Sequence, residues 1–347
     1  MKNALKQYKT IDEWRNCPMA NFVCPVAIET KLETNTPRGK MFLLSLLCNG
    51  TLSIEEDIVQ RMYECCLCGL CTQCGFDDTD IPAAMAAARA DICEADRLPE
   101  KVRALGKAIE DGCIWTRVQD VGELITRDDA VAFITWEDSN AAAFEKLAEK
   151  AGFTPLVIKE GEYDSALLYE LGLWDASERC IEKIAALAAS AKIHKVVVDS
   201  PHLWDLLKKK AVSGKITPLT SFIKELVDSG TLRLKKAKEV VAYHDPCRLV
   251  RREDDETTVR GLLASAGISV AEMRWNKRDA KCCAGPVLKI MAPKVSEQIT
   301  KRRLHEAKDT KAEKLVTACG HCLANFQEYG PDVKAVRLLD LIVSLAE

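Results

Sequence analysis

The sequence predicts an α+β chain: a mainly helical first third, residues 1–105, followed by two α/β units, 106–236 and 237–347, built on one repeated plan. Three observations carry this expectation. Helix-opening segments stand at Thr36-Pro37-Arg38-Gly39-Lys40 and at residues 80–92, a strand–helix–strand order recurs twice after residue 128, and the thiols gather in the outer thirds, with none between 138 and 179.

Taken in order, Thr36 to Lys40 followed by MFLLSLL reads as a turn opening an amphipathic helix, and residues 80–92 as the next helix. DAVAFITWEDS then reads as a strand, NAAAFEKLAEKAG as a helix and TPLVI as a second strand. A helix over residues 174–192 would place Ile181, Ile184, Leu187 and Ala188 on one face. The last unit repeats the order as EVVAYHDPCRL, DETTVRGLLASAG and ISVAEM, and KVVVDSPHLWDLL is mirrored by KLVTACGHCLANF. In this register Glu137 stands where Cys247 is, Ser200 where Cys319 is and Leu203 where Cys322 is, while His202 pairs with His321. Alternating strands and helices predict a small parallel sheet with helical cover in each copy. The spacing differs, 63 positions from Glu137 to Ser200 against 72 from Cys247 to Cys319, so two unrelated α/β units stay open as an alternative.

Composition narrows the function classes. A chain of 347 residues can bury sizeable cores, and a net charge of −3 with interspersed signs leaves no nucleic-acid footprint. No apolar run approaches a membrane span, and MKNALKQYKT is too polar for a signal peptide, so the expectation is a cytoplasmic protein, with peripheral attachment to a membrane complex left open. Sixteen cysteines without a secretory signal imply a reducing compartment and free thiols. Gly-x-Gly-x-x-Gly is absent, so a dinucleotide would have to reside on a partner.

In the last unit, Cys247, the pair Cys282-Cys283 and Cys319-x-x-Cys322 are separated by 34 and 35 residues. Thiolates are soft, anionic and able to bridge two metals, which suits an iron–sulfur cage. Adjacent Cys282 and Cys283 serve two neighbouring irons more readily than one small ion. Arg248, Arg251, Arg252 and Lys281 lie beside these thiols, either offsetting their charge or forming a solvated basic face. Zinc on four of the five is an alternative. A thioredoxin-like Cys-Gly-His-Cys site fails, because only 25 residues follow Cys322.

The first third holds Cys17, Cys24-Pro25 and the run Cys65-Cys66-Leu67-Cys68-Gly69-Leu70-Cys71-Thr72-Gln73-Cys74. In two-cluster ferredoxins, each C-x2-C-x2-C-x3-C-P run sends its fourth Cys to the other cluster. Cys65, Cys68 and Cys71 fit the first three places, and Cys24 is the crossing fourth, giving one [4Fe-4S] cubane. The earlier run has Trp14, Cys17 and Ala20 in its first three places, so two ligands are lost. Cys17 and Cys74 then read as remnants of a missing second cluster, and Cys66 as a spare candidate. A local set of Cys65, Cys68, Cys71 and Cys74 around one metal, or zinc, remains open. Cys48, Cys93, Cys113 and Cys180 read as buried small side chains. His244 and His321 are expected to hydrogen-bond cluster sulfur, Asp245 to orient its loop, and Trp115, Trp136, Trp174, Trp204 and Trp275 to pack interfaces.

These motifs resemble the CCG cysteine-rich domain of heterodisulfide reductase B and D subunits and of glycolate oxidase iron–sulfur subunits. Tyr243-His244-Asp245-Pro246-Cys247 is similar to the opening motif and Ala318-Cys319-Gly320-His321-Cys322 to the closing one, while Ala284-Gly285-Pro286 departs from the glycine-rich run after the Cys pair. Thr36 to Lys40 resembles the PRG-containing segment of the glycolate oxidase subunits. The resemblance implies a helical ferredoxin-like domain, then two CCG-type units of which the first has lost its ligands. It implies two noncubane clusters in catalytic heterodisulfide reductase subunits, each on five cysteines, and here only one such site. The expected function is an electron-transfer subunit of a flavin-linked complex, such as a 2-hydroxyacid dehydrogenase, relaying electrons between the cubane and the CCG-bound centre, with a flavoprotein or other redox subunit as partner. The alternative is a heterodisulfide reductase-like catalytic subunit acting on a thiol or disulfide at a noncubane cluster. A zinc-stabilised scaffold is a third class.

Overall fold

The computed structural model describes the chain except residues 76–78, 213 and 253–255 and the side chain of Arg252, which therefore lies outside the described residues. Up to residue 129 the described residues form helices and turns with no strand. Thr36 caps the helix Pro37–Cys48, its hydroxyl accepting from the Gly39 N–H at 2.9 Å, as an N-cap threonine should. Gly39 permits a close approach: a Cβ there would lie 1.9 Å from the Glu33 carbonyl oxygen. Gly39→Ala is accordingly expected to cost about 1–3 kcal/mol, read as a lower urea midpoint. An unchanged midpoint would mean that the Glu33 turn gives way freely. Asp80 caps the helix Ile81–Glu94 by accepting from the Ala83 N–H. The helix Trp174–Ala189 begins where expected and ends three residues earlier than 192, where Ser190 turns extended.

The remainder carries two four-stranded sheets. The first contains β1 (Ala130–Thr135), β2 (Leu156–Lys159), β3 (Ile193–Val198) and β4 (Ile216–Pro218) in the order β2-β1-β3-β4. The second contains β5 (Glu239–His244), β6 (Ile268–Glu272), β7 (Lys314–Thr317) and β8 (Lys334–Arg337) in the order β6-β5-β7-β8. All six pairings are parallel. Among the rungs are Ile134 with Val198 and His244 with Thr317.

The cores are shared between these parts. One apolar cluster runs from Ile11 and Met41 through Ala88 to Val198 and Ile216, joining the helical third to the first sheet. A second joins Phe133, Phe144 and Phe222 to Val241, Tyr243 and Ile342, tying the first sheet to the second. Phe133 and Phe144 stack at 3.9 Å within it. The helix Glu100–Gly112 runs across position 105. The segments after β1 meet those at the ends of β7 and β8: Trp136 stacks on His321 at 5.0 Å, and Glu137 pairs with Arg337 and lies against Gly320. The carboxyl ends of these parallel strands thus face one another, which is where parallel sheets present their sites.

Candidate metal centres

In the helical third, Cys24, Cys65, Cys66, Cys68 and Cys71 line one cavity together with Pro25, Lys40 and Gly69. Leu67 at φ 51° and Gly69 at φ 76° wind the chain tightly through this run, a left-handed geometry that is costly for leucine and typical of a constrained site. The Leu67 N–H donates to the Cys65 sulfur at 3.4 Å. Burial pushes the Cys24 thiol up to about 12 and Lys40 opposes it. Lys40 is itself buried, its ammonium donating to the Asn35 carbonyl and side chain at 2.9 Å. Arg89, fully buried, donates to the Met62, Cys65 and Glu170 carbonyls and lies over the Tyr63 ring. Cys24, Cys65, Cys68 and Cys71, four of the five thiols facing this cavity, fit a cubane beside a buried cation.

Cys17 and Cys74 do not line this cavity. The indole of Trp14, fully buried, stands three residues before Cys17 and against Gly75, whose added Cβ would lie 1.7 Å from it. Its Nε1 donates to Thr79 at 2.9 Å. An aromatic side chain is therefore packed near Cys17 and against Gly75, next to Cys74 in the chain, and these residues do not fit a second cubane.

The five later thiols are all buried, at 2–6% exposure. Cys247 opens the helix Cys247–Arg252 after β5, and Cys319 caps the helix Gly320–Tyr329 after β7. The Cys282-Cys283 loop is held from above by two helices: Thr300 and Asn325 donate to the Cys283 carbonyl and Ser296 to that of Ala284. Ala284 takes φ 71°, and its N–H donates to the Cys282 sulfur at 3.3 Å. The thiols fall into two adjoining groups. Cys283, Cys319 and Cys322 pack in one cluster, and Cys66, Cys247 and Cys282 in another, with Cys24 and Cys68 packed against it. The two sites therefore meet, Cys68 of the first lying against the cluster of Cys282. Cys282, followed by the charge of Arg251, holds the Cys68 thiol below its ordinary range despite burial.

The cations are not a solvated face. Arg248, Arg251 and Lys281 are all buried. Arg248 pairs with Glu170 at 2.7 Å and Asp205 at 2.9 Å. Arg251 reaches across both sites, donating to the carbonyls of Cys68, Arg278 and Ala280. Lys281 lies 4.4 Å from the Trp275 ring. Arg248 Nε, Arg251 Nη2 and His244 Nε2 are buried without a hydrogen-bond partner among the described residues. Orphaned donors beside a string of thiols fit an anionic metal–sulfur group, because leaving them bare costs about 1–3 kcal/mol each.

His244, Cys283 and Cys322 offer ligand atoms within 4.8 Å of one another, so His244 faces sulfur as expected. His321 does not: its Nε2 meets Asp164 at 3.1 Å. The imidazole whose charge lowers the Cys319 thiol most is His202, from the helix Pro201–Lys209 after β3. Burial opposes its charge, yet Glu170 at 2.7 Å and Cys319 hold it well above the usual imidazole range. Asp245 orients its loop by accepting from Arg260 and the Lys277 N–H. Cys113 and Cys180 are buried as expected but lie side by side, with sulfurs 4.0 Å apart. Lys40, Arg89, Glu170 and His202 were not singled out from sequence as site residues. Arg89, a lone cation in an alanine-rich helix, was the one visible signal.

Residues 241–327 match the family model of the CCG cysteine-rich domain. This stretch is a CCG domain. Beyond it, the chain is similar to the D subunit of the dihydromethanophenazine:CoB–CoM heterodisulfide reductase of Methanosarcina acetivorans, 28% identical over 148 residues, 42% of this chain and 36% of that one. It is 25% identical over 138 residues to the B subunit of the CoM/CoB fumarate reductase of Methanothermobacter marburgensis, 38% of this chain and 27% of that one. An uncharacterized iron–sulfur protein of Methanocaldococcus jannaschii is 23% identical over 262 residues, 73% of this chain and 49% of that one. The matches take in less than half of each relative's length. The CCG domain supplies the five later thiols, and the cavity of the helical third lies outside it. Among the described residues no helix is long and apolar enough to cross a membrane.

Proposed function

We propose that this chain is an iron–sulfur electron-transfer subunit of a flavin-linked oxidoreductase complex. In this reading Cys24, Cys65, Cys68 and Cys71 hold a [4Fe-4S] cubane, and Cys247, Cys282, Cys283, Cys319 and Cys322 hold a second, noncubane centre. The observation that carries the reading is the packing of Cys24 and Cys68 against the cluster that holds Cys66, Cys247 and Cys282, which makes the two thiol sets neighbours. Bound there, the two groups would accept and release single electrons at potentials set by charge, hydrogen bonds and burial. The protein's own residues set those conditions. Lys40, Arg248 and Arg251 supply positive charge, His244 stands within 4.8 Å of the Cys283 and Cys322 sulfurs, and burial of every later thiol excludes water.

The middle unit is best read as a ligand-depleted counterpart of the CCG domain. The equal strand orders support this, as does counting forward from the rungs Ile134–Val198 and His244–Thr317, which sets Glu137 at the place of Cys247 and Ser200 at that of Cys319. In place of thiols it contributes His202, Asp164 and Glu170 to the wall of the remaining site.

The likeness to a heterodisulfide reductase subunit favours a second reading, in which the CCG site acts directly on a thiol or disulfide. The burial of its five sulfurs weighs toward relay. Anaerobically purified protein is expected to contain iron with acid-labile sulfide and to show two paramagnetic centres on reductive titration. Stoichiometric zinc without sulfide would sink both readings. Adding a thiol to the oxidised protein should leave both signals unchanged, and a changed second signal would favour direct chemistry.

A further inference from the structure

Cys66 is the thiol that neither ligand pattern needs. It stands between Cys65 and Cys68 in the chain, yet its side chain packs in an apolar cluster with Cys247, Cys282, Ala284, Leu288 and Ile299, all from the CCG domain, and with Val26. It is 6% exposed. Cys24 and Cys68 pack against this same cluster. The left-handed turn at Leu67 follows Cys66 directly. Cys66 also borders the cavity of the first site, so it stands in the wall that the two sites share.

We propose that Cys66 is a sixth thiolate of the CCG-domain centre, delivered to it from the helical third across that shared wall. The claim rests on the two-centre reading given above. With Cys66 included, the donors divide evenly about the adjacent pair. Cys66 and Cys247 share the buried cluster of Cys282, while Cys319 and Cys322 share that of Cys283. Three thiolates on each side suit a centre built from two linked metal units, because thiolate is soft and can bridge. A small buried apolar role, the ordinary fate of a spare cysteine, does not call for two further cysteines in the same cluster beside two buried guanidinium groups. Coordination does.

The test uses the full-length chain, purified anaerobically and loaded with iron-57 and sulfide. The two paramagnetic signals are first assigned, one as that lost in Cys65→Ser and the other as that lost in Cys283→Ser. Cys66→Ala is then expected to alter the g-values of the second signal and the Mössbauer parameters of part of its iron, with the first signal unchanged. Cys66→Ser, nearly the same size, keeps the test available if the alanine variant folds poorly, and should show the same selective change. An unaltered second signal in both variants overturns the proposal. A change confined to the first signal overturns it too, placing Cys66 at the cubane. Wild-type protein without iron and sulfide defeats the underlying two-centre reading instead, and is recognised before any variant is made.

Discussion

Cys283→Ser is expected to abolish one of the two paramagnetic signals and to leave the other at full intensity, with iron content falling by the share of one centre. The ligand atoms of Cys283, Cys322 and His244 lie within 4.8 Å of one another, and Cys282 precedes Cys283 in the chain, so loss of Cys283 opens the donor set at its middle. A serine hydroxyl is a hard, weakly acidic donor and does not replace a soft anionic ligand. The first centre should survive because Cys24, Cys65, Cys68 and Cys71 face a cavity that Cys283 does not line. Loss of both signals would show that the two thiol sets assemble one shared centre. Retention of both would remove Cys283 from the ligands.

Arg89→Met is expected to destabilise the protein by roughly 3 kcal/mol or more. The guanidinium is fully buried and satisfies three carbonyls from two separate stretches: Met62 at 3.1 Å and Cys65 at 2.6 Å in one, and Glu170 at 2.8 Å in the other. Methionine fills much of the volume but donates nothing, so each orphaned carbonyl costs about 1–3 kcal/mol. Part of this is offset because a buried charge no longer has to be desolvated. Urea unfolding under anaerobic conditions reads the change. The first paramagnetic signal should also weaken, since the Cys65 carbonyl loses its anchor. A midpoint within error of wild type would mean that water or a shifted backbone satisfies those carbonyls equally well.

The legible parts of this molecule are those written in consecutive residues. Thr36-Pro37 and Asp80 announce helices because a cap and its first turn are adjacent in the chain. The strands ending at Thr135, Val198, His244 and Thr317 are short apolar runs before a turn, and their parallel pairing follows from the helices between them. The thiols around Cys282 are visible because spacing alone reveals them. What spacing does not reveal is which side chain reaches across. Cys66 lies among first-site ligands in sequence but packs against Cys282, more than two hundred positions away. His321 adjoins two cysteines yet turns to Asp164, and the imidazole whose charge lowers the Cys319 thiol most is that of His202. Arg248 and Arg251 read equally well as a wet face until the surrounding Glu170, Asp205 and backbone carbonyls are in place. These contacts depend on how the two sheets and the helical third are set against one another, and no local pattern encodes that.

Arg251 has a mechanical consequence. One end of its fork grips the carbonyl of Cys68 and the other the carbonyls of Arg278 and Ala280, just ahead of the Cys pair. A single rigid side chain thus acts as a strut between the two sites. Electron tunnelling falls steeply with gap width, so a gap held fixed by a strut gives a steady rate through thermal motion. In the relay proposed above, two sites that could breathe apart would behave as an intermittent contact, and the guanidinium of Arg251 would hold the gap closed.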